Sequence, residues 1–391
     1  MQRLPRRLGL LALGHFTVDA YSSFLSPLIP LLIAKLSLSL SEVGVVLAVA
    51  TFSNSFSQLF FGWTSDRLRR PWFVAFGPLL GAVFLSAVGL APNLYVLVAF
   101  LVAGGLGVAA FHPQGVMLAG KTSSRRSLAV SLFITGGTLG FALGPLLSVS
   151  VVTLFGLERT WIAGIPGLLV SALLLMWFAR VPPVAQQHLE RPALSELRPV
   201  AAPLTLLFVA VVIRSAVGMS FTNFLSVLLH DRSFPLQLTG TIVTGYLGAG
   251  ALGGFLGGWL AERWNGRVVV IASFLFSIPL YAAFLFLPTG PGLFCLLLAG
   301  FVLQSSLPVN VVLGQELSPR HGSTISSLLM GVAWAFGGLL MGGVGMLADV
   351  IGLRYALLAM SSLLTVGMLC GLALPRRQAH AVPVTPVVET A

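Results

Sequence analysis

Charge is what this sequence has least of. Asp, Glu, Lys and Arg make up only 8% of its 391 residues, against roughly 25% in domains that keep their surface in water. That is too little polar surface for a soluble fold. Acid is scarcer than base, 11 against 22, which leaves a net charge of +11. Both cysteines, Cys295 and Cys370, fall inside apolar stretches; they exclude a disulfide scaffold and read as small hydrophobes. The hydrolase signatures H-E-x-x-H and G-x-S-x-G are missing, and the nearest approach, Gly218-Met219-Ser220-Phe221, lacks the final glycine. Nothing therefore supports an intramembrane enzyme, and no metal or cofactor other than a coupling proton is expected. What is present is apolar: 57% of residues, with a mean hydropathy of +0.97. The bilayer is the solvent this composition fits.

Apolar runs of about twenty residues or more, enough to cross a bilayer, fall near 8–34, 42–63, 72–91, 94–118, 128–155, 160–180, 204–230, 237–261, 268–288, 291–314, 323–349 and 353–374. Arg3, Arg6 and Arg7 precede the first, as in a signal peptide. That run is too long for one and has no small-residue cleavage site, so it reads as the first helix. Seventeen basic residues lie at the ends and in alternate gaps, among them Arg67, Arg69, Arg70, Lys121, Arg198, Arg263 and Arg320; the other side carries Lys35, Arg159, Arg232 and Arg354. By the positive-inside rule both termini are expected in the cytoplasm, with the chain in the inner (plasma) membrane. The basic excess thus reads as a topology signal, and no nucleic-acid partner is expected.

A proline-bearing polar stretch, 181–203, divides the runs six plus six, giving bundles over 1–180 and 204–374, and the tail 375–391 lacks periodicity and is expected to be disordered. The halves look duplicated: Gly62-Trp63-Thr64-Ser65-Asp66-Arg67 recurs as Gly258-Trp259-Leu260-Ala261-Glu262-Arg263, 196 positions on. The expected fold is all-α, twelve transmembrane helices in two six-helix bundles facing each other across a central cavity. A monomer is the expected state.

Gly62-x-x-x-Asp66-Arg67-x-Arg69-Arg70 resembles the loop motif between helices 2 and 3 of the major facilitator superfamily, and Gly136-Gly137-x-x-Gly140-x-x-x-Gly144-Pro145 resembles the helix-5 motif of its drug/proton antiporters. His15-x-x-x-Asp19, Phe111-His112-Pro113, Gln315-Glu316-Leu317-x-Pro319, Gly337-Gly338 and Ala348-Asp349 are similar to the fosmidomycin-resistance efflux group, a likeness spanning nearly the whole chain. The sequence departs from that group where Gln114 replaces an expected Glu, and helix 4 carries no Lys or Arg. The resemblance implies alternating access, proton-driven antiport and drug efflux. It also implies a gating latch at Gly62, Asp66, Arg67 and Arg70, echoed by Glu262, Arg263 and Glu316.

The residues add their own signals. Asp19 is a carboxylate well inside an apolar helix, costly unless functional, with His15 four residues earlier on the same face; both are proton-coupling candidates. His112, before the helix-bending Pro113, is a third. Arg214 is the one basic residue well inside a helix. It stands 195 positions after Asp19, so the repeat would let the two pair across the cavity, although an offset of 200 sets Met219 against Asp19 instead. Gln114, Asn223, Gln304 and Asn310 are polar groups that either bind substrate or join helices, and Tyr21, Phe24 and Trp334 are candidate cavity walls. Gly136, Gly140 and Gly144 give helix 5 a groove for close helix packing, with Pro145 beside it. Gly248-Ala249-Gly250-Ala251-Leu252-Gly253 mimics a dinucleotide-binding loop, but it lies mid-helix after no strand.

Charges alone leave the direction of coupling open. A cation or neutral compound competing for Asp19 gives exchange, whereas an anion held by Arg214 favours co-transport with the proton. The preference for efflux of a small amphipathic or anionic compound, such as an antibiotic, comes from the resemblance. A proton-coupled importer of an organic acid or sugar is the alternative, and a receptor or scaffold without transport is disfavoured by the lack of a soluble signalling domain.

Overall fold

A computed structural model describes residues 6–65, 71–122, 126–178 and 193–375. Among them eleven helical segments are long and apolar enough to cross a membrane: α1 Arg7–Leu36, α2 Leu40–Ser65, α3 Trp72–Leu90, α4 Leu94–Gly120, α5 Ala129–Phe155, α6 Leu157–Trp177, α7 Ser195–Asp231, α9 Gly266–Phe286, α10 Thr289–Leu317, α11 Thr324–Ile351 and α12 Leu353–Ala373. The twelfth, α8, spans Leu236–Arg263. Its 28 residues cover about 42 Å at 1.5 Å per residue, ample for a bilayer. Repeated glycines and threonines dilute its apolar content. They also let backbones meet: a Cβ at Gly253 or Gly257 would collide with the α10 backbone at Phe301 and Ser305.

Apolar side chains form two principal buried clusters, one drawn from residues 8–174 and one mainly from 210–370. This is the two-bundle arrangement of the expected fold. The bundles meet along three seams. On the first, α2 lies on α11, where a Cβ at Gly44 would strike the Met341 carbonyl at 2.7 Å and meet the Cα of Gly345 at 3.1 Å. On the second, α5 lies on α8, with Gly240 against Val149. On the third, α1 meets α7: the Ser26 hydroxyl donates to the Thr222 carbonyl, and the Ser226 hydroxyl donates to the Ser26 carbonyl at 2.5 Å. Both the Gly44 contact and the Ser26 bonds lie towards the face remote from the termini.

The start of α7 differs from the expectation. The interdomain stretch was expected to remain non-spanning to residue 203, yet a 3-10 turn over Leu194–Val200 runs directly into the α-helix beginning at Ala201. Pro203, the third residue of that α-helix, is tolerated because a helix's first turn has no use for the missing N–H. Residues 179–192 of the linker and 376–391 of the tail lie outside the described residues.

Irregular turns interrupt the helices where the interior carries polar groups. In α10 an α-helical stretch ends at Gln304 and a second begins at Ser306, with Pro308 unable to offer an N–H to the Gln304 carbonyl. A π-turn over Leu328–Val332 lies in α11 just before Trp334. Near the membrane boundary, Arg232 donates to the Leu285 carbonyl at 3.1 Å, covering an orphan carbonyl at the end of α9. Burial, and secondarily the like charge of Arg354, hold this guanidinium below the ordinary arginine pKa.

Candidate functional site

The one-turn spacing of His15 and Asp19 does bring them together: His15 Nε2 stands 3.3 Å from Asp19 Oδ2. From α4, His112 Nε2 reaches the other oxygen, Oδ1, at 3.1 Å. Each ring is fixed from behind, His15 Nδ1 donating to the Phe133 carbonyl and His112 Nδ1 to the Val108 carbonyl, both at 2.8 Å. Phe133 stacks on the His15 ring with centroids 4.1 Å apart. Gly137 makes room for the group, since a Cβ there would overlap His15 Nε2 and sit 2.6 Å from Asp19 Oδ2.

This arrangement fixes where protons belong. A carbonyl oxygen only accepts, so each Nδ1 must carry hydrogen, and each Nε2 then faces a carboxylate oxygen. Such a contact is a hydrogen bond only if a proton lies within it. Asp19 and His112 keep 17% and 27% of their side chains exposed, against 8% for His15, which leaves an access route on the His112 side. The triad's ligand atoms lie within 4.8 Å of one another, a spacing a metal ion could use. The His112 contact has hydrogen-bond length at 3.1 Å, whereas the His15 contact, at 3.3 Å, has ion-pair length.

Arg214 lies in the other bundle, and the expected pairing with Asp19 is not formed. Asp19 is enclosed by the two histidines, whereas Arg214 donates to Gln304 Oε1 at 2.7 Å and to Ser215 Oγ at 3.0 Å. Its guanidinium carbon lies 5.5 Å from the centre of the Trp334 ring. The physical reason is local: His15 and His112 satisfy both oxygens of Asp19, and a buried guanidinium takes whatever acceptors its own bundle offers. Among the described residues no carboxylate lies within ion-pair distance of Arg214, and its Nε is buried without a partner. Asn310, 1% exposed, faces the same recess, with neither amide atom bonded.

The other candidates divide sharply. Gln304 belongs to the Arg214 group. Gln114 accepts from the Val74 N–H at 3.1 Å and donates to Ser65 Oγ at 3.2 Å, tying α4 to α2 and α3, and is 1% exposed. Tyr21 donates to the Ala163 carbonyl at 2.6 Å and accepts from the Gly167 N–H at 3.1 Å. Phe24 is 2% exposed in the core of the first half. These three pack the bundle and are not brought to either polar group. Asn223 donates to its own helix at the Met219 carbonyl and to the Met341 sulfur. Gly140 and Gly144 seat α1, since a Cβ at either would run into the backbone at Phe16 or Ala20, and Pro145 follows within the same helix.

Of the gating candidates, Asp66, Arg67 and Arg70 lie outside the described residues. Gly62 has ordinary contact with Pro113. Glu262 is exposed, and Arg263 covers the Trp259 ring at 4.3 Å. Arg320 lies 3.8 Å from Glu196. The reading of the sequence missed a role for Asp349, whose carboxylate accepts from the Leu40 N–H at 3.1 Å and the Ser41 N–H at 2.8 Å across the α2–α11 seam. The signal for it was Ser39-Leu40-Ser41-Glu42, a capping-box pattern that announces a helix start in need of acceptors.

Comparison with known proteins agrees with this architecture. The chain is 29% identical over 372 residues to YfnC, an uncharacterised MFS-type transporter of Bacillus subtilis (strain 168), covering 92% of this chain and 90% of that one. It is 27% identical over 384 residues to the fosmidomycin resistance protein of Escherichia coli (strain K12), covering 93% and 91%. In fold it is similar to a bacterial homologue of the human lysosomal transporter Spinster, solved in an inward-facing, occupied conformation: the TM-score is 0.81 at 18% identity, over 95% of this chain and 97% of that one. The model of the Major Facilitator Superfamily matches residues 11–342. This multi-pass membrane protein is a member of that superfamily.

Proposed function

We propose that the chain is a proton-coupled exporter of a small amphipathic or anionic compound, sited in the inner membrane with both termini in the cytoplasm. The observation that carries this reading is the His15–Asp19–His112 triad: a carboxylate inside an apolar bundle, held at both oxygens by imidazoles and partly open to solvent. Proton uptake completes the two N···O bonds and clamps α1 to α4, while proton loss sets nitrogen lone pairs against carboxylate oxygens and loosens the clamp. Arg214, in the opposite bundle and with no carboxylate within ion-pair distance among the described residues, is the complementary group for an anion. Helix α1 also rests on the glycine seat of α5 at Gly140 and Gly144. A shift of α1 there accompanies the exchange of open faces. The preference for export is supported by the likeness to the fosmidomycin resistance protein along nine-tenths of both chains. The orientation is supported by the 17 basic residues counted on the side of the termini against four opposite.

The test is transport in proteoliposomes with an imposed pH gradient, comparing wild type with Asp19→Asn. An inward-directed proton gradient should drive substrate the other way in wild type, and the variant should lose gradient-driven flux while still equilibrating substrate down its own gradient. Undiminished proton-driven flux in Asp19→Asn would remove the triad from the mechanism. Substrate moving in the same direction as protons would replace export with co-transport.

A further inference from the structure

We infer that the His15–Asp19–His112 triad is a binding site for one divalent transition-metal ion of the Zn2+ class, ligated by both imidazole Nε2 atoms and the Asp19 carboxylate. The inference goes beyond the transport reading, since it needs neither a direction of transport nor a coupling scheme. Two imidazoles and one carboxylate suit cations such as Zn2+, Ni2+ and Cu2+, whereas Mg2+ and Ca2+ take oxygen ligands. Three protein ligands also leave a coordination position for water, and the more exposed Asp19 and His112 side chains give it a way in.

The ligand geometry fits. With bonds of about 2.0–2.1 Å, neighbouring ligand atoms of a tetrahedral centre stand about 3.3–3.4 Å apart. His15 Nε2 lies 3.3 Å from Asp19 Oδ2, and His112 Nε2 lies 3.1 Å from Oδ1. The first distance is long for an N–H···O bond and matches the edge of a metal site. All the ligand atoms lie within 4.8 Å of one another, so any remaining approach of the two nitrogens is at most about 1.4 Å. That movement falls to His112, the most exposed of the three side chains.

The surroundings of the ligands fit as well. A metal-bound histidine ordinarily donates its other ring N–H to a carbonyl or carboxylate, which fixes the tautomer and aims the ligating nitrogen. Both rings do so here, His15 Nδ1 to the Phe133 carbonyl and His112 Nδ1 to the Val108 carbonyl, at 2.8 Å each. In a neutral imidazole, hydrogen on Nδ1 leaves Nε2 as an acceptor. Two such nitrogens and a carboxylate then converge with no donor among them, and one divalent cation satisfies all three. Phe133, stacked on His15, and Phe111, 5.9 Å from it between ring centres, supply an apolar shell.

The test is calorimetric titration of ZnCl2 into the purified full-length protein in detergent, free of any histidine tag and treated beforehand with a chelator. Wild type should bind one Zn2+ per chain, and a large excess of Mg2+ should not displace it. His112→Gln and Asp19→Asn should each lose at least the 10–100-fold in affinity that removal of an outer partner typically costs. His230→Gln, at the exposed end of α7, should bind as wild type does. Zn2+ should also raise the unfolding temperature of wild type and of His230→Gln, but not that of the two triad variants. If Asp19→Asn does not stay monodisperse, His112→Gln decides. Absence of one-to-one binding in wild type overturns the inference, as does displacement by Mg2+, unchanged affinity in His112→Gln, or loss of binding in His230→Gln. Because no gradient is imposed, undiminished proton-driven flux in Asp19→Asn would end the coupling role and leave this result standing.

Discussion

Asp349 holds the two bundles together at one point, and its removal should shift the transporter's conformational balance by a calculable amount. Helix α2 begins with four N–H groups that have no partner in their own helix. Two are met locally, the Ser39 N–H by Glu42 Oε2 at 2.8 Å and the Glu42 N–H by Ser39 Oγ at 3.1 Å. The other two, on Leu40 and Ser41, are met by Asp349 from the opposite bundle, which also takes the Ser41 hydroxyl. A side-chain cap contributes typically about 1 kcal/mol, and a negative charge at a helix N-terminus adds about 0.3–1 kcal/mol. Because Asp349 is exposed, the lower part of the summed range applies, about 1–2 kcal/mol. These bonds exist only while the two helix ends touch, so all of that energy favours the state closed at this face. Asp349→Ala should therefore raise the ratio of open to closed molecules about 5- to 30-fold. Asp349→Asn, which keeps an acceptor and loses the charge, should have a smaller effect. Spin labels at Ala34 and Val350, both exposed, with Cys295 and Cys370 replaced, would report the separation of the α1 and α11 ends as a distance distribution. A distribution unchanged by Asp349→Ala would refute the claim that this cap latches the closed face.

Two further outcomes follow from the same geometry. Gly137→Ala puts a methyl group into His15 Nε2 and Asp19 Oδ2; it should reduce proton-driven flux in proteoliposomes at least tenfold while the purified protein stays monodisperse in detergent. Asp19→Asn and Arg214→Gln, which touch separate partner sets, should act independently in a double-mutant cycle on thermal stability, with a coupling energy within about 0.5 kcal/mol of zero; a double variant markedly more stable than additivity allows would show that the two charges pair after all.

Much of the fold was legible because the bilayer imposes a simple rule, a long apolar run for each crossing, and the polar gaps mark the ends. The rule was least informative at α8, where glycines lower the hydropathy, and at the start of α7, where the prolines of the polar stretch looked like a stop and Pro203 proved a tolerated first-turn residue. The polar site was legible in part. Asp19, His15 and Arg214 stood out because ionisable groups inside apolar helices are rare, but which of them met depended on the approach of α4 to α1, and no spacing within one helix states that. Hence His112, singled out in the sequence by the proline after it, turned out to complete the triad, while Gln114, two residues further on, joins helices instead. Asn223 and Asn310 look alike as sequence features. Burial and bonding separate them, since Asn223 bonds back to its own helix and Asn310 faces a recess with both amide atoms unpaired.

The separation of the two charged groups restricts how they can influence each other. Had Asp19 and Arg214 paired, protonation would have freed the guanidinium directly, and coupling would have been a competition at one place. With the acid in one bundle and the base in the other, the influence must pass through the backbone. Helix α1 carries His15 and Asp19 of the triad and, seven residues or about 10 Å beyond Asp19, Ser26, which is hydrogen-bonded through both its hydroxyl and its carbonyl to α7 at Thr222 and Ser226. Thr222 in turn lies eight residues, about 12 Å, along α7 from Arg214. In the proposed scheme a proton at Asp19 acts on the Arg214 group by changing how α1 sits between α4 and the glycine seat of α5, because α7 is bonded to α1 at Ser26. Small residues line this route for a mechanical reason: with no side chain at Gly140 or Gly144 the backbones lie in contact, and any displacement of α1 is passed on undamped.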